Sequence, residues 1–160
     1  MEFLQTWINP LYAVILWILV FILIKPPRIK ELLPVGIIAG IILFVVEYVL
    51  ISLGLMQFNK GWILVAGVPL FNPIWGIAAG ILVMQYMKQD FSKKIPMILF
   101  FTIIVEIAVY VAIEVGNMSL LGRYNLFYDF LVNFVVIVVL THLAEGLYGQ
   151  RIYRKDLTRI

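Results

Sequence analysis

Five stretches of this 160-residue chain are apolar for about 20 residues each, the length a helix needs to cross a bilayer core about 30 Å thick. They cover residues 7–24, 34–56, 68–87, 95–115 and 126–148. Only short loops remain between them, too little chain for a soluble domain. The sequence therefore predicts an all-α polytopic bundle of five spans, a single integral membrane domain over 1–160.

Composition supports this. AVILMFWYC residues make up 64% of the chain and charged residues 13%, against about half and about a quarter in soluble domains. That excludes a soluble enzyme, a nucleic-acid binder, a disordered tail and a secreted disulfide scaffold. With no Cys, there is no disulfide, thiolate metal site or cysteine nucleophile.

The loop charges give the orientation. Lys25, Arg28 and Lys30 follow span one, and Lys88, Lys93 and Lys94 follow span three. Arg151, Arg154, Lys155 and Arg159 follow span five, while Lys60 and Arg123 fall on the other side. Short basic loops stay cytoplasmic, so the expected N-terminus is outside and the C-terminus inside the cytoplasmic (inner) membrane. Four or six spans would scatter these charges over both sides. No basic region precedes Pro10, so span one is expected to be retained rather than cleaved as a signal. Asn9-Pro10 is expected in its first turn, Pro26-Pro27 to stop it.

Span three is irregular, because Pro69 and Asn72-Pro73 interrupt its outer half. Two layouts remain open: one long kinked helix, or a short re-entrant piece (62–70) followed by a span from about Asn72. The second is preferred, with its unpaired backbone covered by protein or lining a cavity.

Ionisable groups within spans are costly and each needs an account. Gly36, Gly40, Glu47 and Gly54 fall on one face of span two at 100° per residue, and Gly36-x-x-x-Gly40 marks a helix-packing surface. Glu47 is then either a protonated acid bonded to a neighbouring helix or part of a ligand or proton site. Thr102, Glu106, Tyr110 and Glu114 form an i, i+4 stripe on span four. Glu47 and Glu106 are expected at similar depth, and would share a proton if spans two and four are neighbours. Asp129 and Asn133 lie one turn apart on span five, within expected reach of Arg123. His142 is expected to bond a backbone carbonyl or Glu145, since one His and one Glu fall short of a metal set. Gly76-x-x-x-Gly80 makes span three a second close-packing surface. A loose recurrence links Glu47…Gly54…Trp62 with Glu106…Gly116…Tyr124. No nucleotide loop, G-x-S-x-G, H-E-x-x-H or EF-hand pattern occurs, and no D-x-x-x-D pair for magnesium-held diphosphate.

Glu47, Gly54, Trp62, the broken segment Pro69-Leu70-Phe71-Asn72-Pro73, and Glu106 after Thr-Ile-Ile-Val occur in an order that resembles an uncharacterised family of small polytopic membrane proteins of spore-forming Firmicutes. The resemblance covers roughly 33–148 and implies a bacterial cytoplasmic-membrane location, without an activity. A fainter similarity is to the membrane-embedded lycopene cyclase domain. Val68-Pro69-Leu70-Phe71-Asn72-Pro73 has no acid after the proline, which departs from that family's proposed catalytic motif.

The candidate ligand- or proton-binding set is Glu47, Glu106, Tyr110, Asn72, Asp129 and Asn133, with no metal or cofactor expected. The leading reading is an intramembrane carboxylate site for a proton, a cation or a lipid-like ligand, in a homo-oligomer or beside a membrane partner protein. The alternatives are a membrane-embedded acid–base enzyme acting on an isoprenoid or lipid, and an assembly subunit whose acids fix helix register.

Overall fold

A computed structural model describes residues 2–153; Arg154, Lys155 and Arg159 of the basic tail lie outside them. The chain runs α1 (Glu2–Leu23), α2 (Pro26–Ser52), β1 (Met56–Phe58), β2 (Leu64–Val65), β3 (Val68–Pro69), α3 (Phe71–Tyr86), α4 (Phe91–Glu114), β4 (Met118–Leu120) and α5 (Leu126–Tyr148), ending in a 3-10 turn (Gly149–Tyr153). It is an all-α bundle. Four of the helices, all but α3, are long and apolar enough to cross a membrane, and the chain is a multi-pass membrane protein.

Apolar side chains turn outward along whole helix faces, such as Val14, Ile18, Phe21 and Ile22 on α1. In lipid this costs nothing, since the surroundings are as apolar as the side chains. Backbone polar groups must instead be satisfied within each segment, as helices do.

Several boundaries differ from the sequence expectation. α1 starts at Glu2, so Pro10 lies inside the helix instead of opening it. Pro26-Pro27 follow the end of α1, but they also form the first turn of α2, which begins eight residues before the expected Pro34. Proline lacks only a donor that the first turn leaves unpaired anyway. α4 likewise starts at Phe91 and contains Pro96. α5 spans 126–148, as expected.

Residues 62–70 are not part of a long kinked helix, and the helix after them starts at Phe71, close to the expected Asn72. Leu64 and Val65 pair with Pro69 and Val68 in a hairpin whose turn residues, Ala66 (φ 52°) and Gly67 (φ 84°), both take positive φ. That is the backbone a two-residue hairpin turn of this hand requires. α3 then begins at Phe71 and, with 16 residues, is about 24 Å long, shorter than a full crossing.

α2 and α4 end alike. Gly54 (φ 67°) and Gly116 (φ 75°) follow the helices in left-handed conformation. In each case the glycine N–H and the next residue's N–H close back on the last turn, Gly54 to Ile51 O and Leu55 to Leu50 O, Gly116 to Ile113 O and Asn117 to Ala112 O, all at 2.9 Å. Gly54 is therefore a helix stop, not part of the Glu47 face. β1 and β4 follow these stops and pair antiparallel, Met56 with Leu120, Gln57 with Ser119 and Phe58 with Met118.

The strand end also holds Glu2, whose carboxylate meets Lys60 Nζ at 3.2 Å. The opposite, basic end is tied by Arg28, fully buried, which donates to Gln85 Oε1 (3.0 Å), Glu31 Oε2 (2.8 Å) and the Ile152 carbonyl. Glu145 accepts from Lys94 and Tyr153 there. The first and last described residues thus lie at opposite ends of the bundle.

Gly36 and Gly40 of α2 face Gly76 and Gly80 of α3. A Cβ on Gly40 would stand 2.7 Å from Pro73 O, and one on Gly36 2.8 Å from Ile77 O. Only glycine allows this approach, the packing that both G-x-x-x-G patterns predict.

A candidate carboxyl site beside an apolar cleft

Helices α2, α3 and α5 bring polar side chains together near the strand end. Glu47, 8% exposed, accepts from Asn72 Nδ2 at 2.8 and 3.0 Å, one bond to each oxygen. Asn125 sets the start of α5 by accepting from the N–H groups of Phe127 and Tyr128, which puts Asp129 in the first turn. Asp129, 6% exposed, accepts from Tyr124 Oη and Asn133 Nδ2, both at 2.8 Å. Asn133 Nδ2 also reaches Glu106 Oε2 at 3.5 Å. Burial first, then the neighbouring Asp129 carboxylate, pushes the Tyr124 phenol above its ordinary range, so it remains a donor.

These groups surround a cavity of about 50 Å³ whose polar lining includes Asn9, Glu47, Asn72, Trp75, Asp129 and Asn133. That is room for a few water-sized groups. Next to it, a cleft of about 460 Å³ lies between α1, α3 and α4. Its exposed wall is wholly apolar. Tyr12, Trp75, Val105 and Ala108 line both spaces. Tyr12 Oη donates to Ala108 O at 2.8 Å and so bridges α1 and α4 at this junction. Among the described residues, Asn72 Oδ1 and Trp75 Nε1 in the cavity wall are buried without a hydrogen-bond partner, as is Glu106 Oε1 of the adjoining polar group.

The structure brings together Glu47, Asn72, Asp129 and Asn133 of the expected set. Glu106 stands behind Asn133 instead of facing Glu47, because α5 packs between α2 and α4. The expected direct sharing of a proton between Glu47 and Glu106 is absent: among the described residues the hydrogen bonds form two separate groups, Glu47 with Asn72, and Glu106 with Asn133, Asp129 and Tyr124. Tyr110 is 50% exposed and lies away from the cavity, and Glu114 is exposed too. Steps of four residues advance 40° per step, so the stripe that starts with buried Thr102 winds around α4 to the outside. Arg123 is exposed and forms no ion pair among the described residues; Tyr124, next in sequence, takes the role expected of it. His142 Nδ1 lies 2.8 Å from Val138 O, the carbonyl contact that was one of its two expected partners.

Sequence reasoning missed Asn9, Tyr12, Trp75 and Tyr124. Asn9 could have been found as a polar residue inside an apolar run, and its Nδ2 reaches Asn117 Oδ1 at 3.3 Å. Tyr12 and Trp75 carried no signal, since most aromatics in such a chain face lipid, and Tyr124 entered only through the Glu106…Gly116…Tyr124 recurrence. No group of three or more metal-ligating side chains occurs among the described residues. No family model, curated protein or solved structure matches this chain.

Proposed function

We propose that this protein sits in the cytoplasmic membrane with its basic end inside and binds a lipid-like ligand, the chain in the apolar cleft and an uncharged polar end in the carboxyl cavity. The observation that carries this reading is the shared wall: Tyr12, Trp75, Val105 and Ala108 join a polar cavity to an apolar cleft. A cleft of this volume falls in the range of small-molecule sites, and its lining offers nothing to a polar ligand. The basic residues that orient the protein also define the ligand by their position. No Lys or Arg lines either space, while two carboxyls line the smaller one, so a phosphate or carboxylate head would find no counter-charge there. The acid–base alternative draws on the same carboxyls, Glu47 and Asp129, on two walls of one cavity. Identical lipid and pigment profiles in cells with and without the gene would remove it.

Trp75 supplies the test. In detergent, 9,10-dibromooctadecanol is expected to quench the protein's fluorescence saturably, and Trp75→Phe to lose the saturable part. The matching dibromooctadecyl phosphate should give none. Absence of saturable quenching by the alcohol overturns the lipid reading; equal quenching by the phosphate overturns the uncharged head.

A further inference from the structure

The two helix stops lie 62 residues apart, and so do many of the features around them. Pro34 of α2 and Pro96 of α4 lie equally far before the two stops. Buried Met56 and Met118 follow the two stops. The strand register is symmetric under the same shift. Met56–Leu120 maps onto Phe58–Met118, and Gln57–Ser119 maps onto itself. The flanking bonds obey it as well: Asn59 N donates to Asn117 O and Leu121 N to Leu55 O, both at 2.7 Å. A local two-fold axis therefore passes between Gln57 and Ser119 and relates the end of α2 with β1 to the end of α4 with β4.

In the second helices the match shifts to 61 residues, since a hairpin lies before α3 and only a short loop before α5. Gly76, Gly80 and Val83 then correspond to Ile137, Thr141 and Ala144, all buried. Under this shift Asn72 corresponds to Asn133. Each asparagine gives its amide N–H to an acid on the first helix of its own half, Asn72 to Glu47 and Asn133 to Glu106. The acids are 59 residues apart, one turn short of the match in the caps, and keep the same kind of partner.

We infer that Asn72 and Asn133 are equivalent ligand-contacting residues of a duplicated unit, and that their amide oxygens receive two O–H groups of one uncharged long-chain diol. Both amides spend their N–H groups on carboxyls and face the cavity. Asn72, 2% exposed, leaves Oδ1 buried without a partner. Asn133 Oδ1 accepts no side-chain hydrogen bond among the described residues. Asn72 Oδ1 is a buried acceptor left unmatched, which is costly, and half-buried Asn133 adds a second free acceptor in the wall of the same cavity, so two donors are called for. The unpartnered Trp75 N–H adds a donor that a hydroxyl oxygen satisfies and an ammonium does not. A head with two hydroxyls meets all three. This inference rests on the lipid reading above and specifies its ligand class.

The probes are 1-O-octadecylglycerol and its di-O-methyl ether, which has the same chain and oxygens but no donors, each competing against 9,10-dibromooctadecanol. The diol should bind at least tenfold more tightly than the ether. Asn72→Leu and Asn133→Leu should each reduce that preference to a few-fold or less, by similar amounts. Equal binding of diol and ether by the unaltered protein, which needs no variant to fold, overturns the inference and leaves the lipid reading in place if the bromoalcohol still quenches. A diol preference that survives Asn133→Leu but not Asn72→Leu overturns the equivalence of the two halves. Failure of the bromoalcohol to bind overturns the lipid reading itself.

Discussion

The two helical hairpins share an outline and close differently. α2 and α3 meet backbone to backbone through Gly36, Gly40, Gly76 and Gly80. α4 and α5 meet through side chains, and a linked polar group of Glu106, Asn133, Asp129 and Tyr124 lies at the strand end of their contact. Burying apolar surface gains little between helices already surrounded by lipid, which leaves close packing and hydrogen bonds to hold them. The first hairpin adds glycine close packing to its Glu47–Asn72 bonds, whereas the second has no glycine contact and is joined by Asn133–Glu106 and, at the basic end, Lys94–Glu145. One unit, used twice, has been fastened in two ways.

The largest test of that difference is at equivalent positions. Gly40 of α2 corresponds to Thr102 of α4 under the 62-residue shift. Gly40→Leu drives a side chain into the Pro73 carbonyl, and should cost about 3 kcal/mol or prevent folding. Thr102 is buried, but its hydroxyl donates to Ile98 O of its own helix at 2.8 Å. Thr102→Val keeps the shape and leaves only a helical carbonyl that is already bonded, so it should cost less than about 1 kcal/mol. Unfolding of both variants in mixed micelles with rising SDS would show the gap. Equal losses would mean that the hairpins are fastened alike.

Tyr124→Phe probes the polar fastening. It removes one of the two donors to a buried Asp129 and should cost about 1–3 kcal/mol. Hydrogen exchange in detergent should report lost protection in α4 and α5 while α2 and α3 keep theirs. Loss spread evenly over all four helices would deny that the second hairpin depends on its own network.

The glycine fastening was legible in the sequence, because G-x-x-x-G has one dominant use between membrane helices. Four of the five spans were legible for a similar reason, since length and apolarity alone set a bilayer crossing. The duplication left only the trace Glu…Gly…aromatic. What supports it further is the matched helix stops at Gly54 and Gly116 and the strands that follow them, Met56–Phe58 and Met118–Leu120, three residues each and far apart in the chain. Segments so short have no periodicity to read. The cavity was half legible: Glu47, Asn72, Asp129 and Asn133 are polar residues in apolar runs, and the cost of burying them gives them away. Tyr12 and Trp75 are not, because an aromatic ring in a span looks the same whether it faces lipid or a cleft. Tyr110 misled for a geometric reason, since a four-residue repeat drifts around the helix and leaves the inner face within two steps.

The smallest effect separates the hairpins most cleanly, because one substitution should change sign between them. At Gly146 of α5 an added Cβ would meet nothing within 4 Å, and Gly→Ala within a helix gains up to about 1 kcal/mol. Gly146→Ala should therefore raise Tm in detergent by a few degrees. At Gly76 of α3 the same Cβ would stand 2.9 Å from Leu43 Cδ2 and 3.2 Å from the Gly40 Cα. The leucine tip can swing aside, but the glycine backbone cannot without parting the helices, so Gly76→Ala should lower Tm despite the same gain in helix propensity. A rise at both positions would mean that α2 and α3 have slack to give up. A fall at both would mean that the open face around Gly146 is covered in the membrane by a neighbouring helix, and that the second hairpin has a close-packed partner of its own.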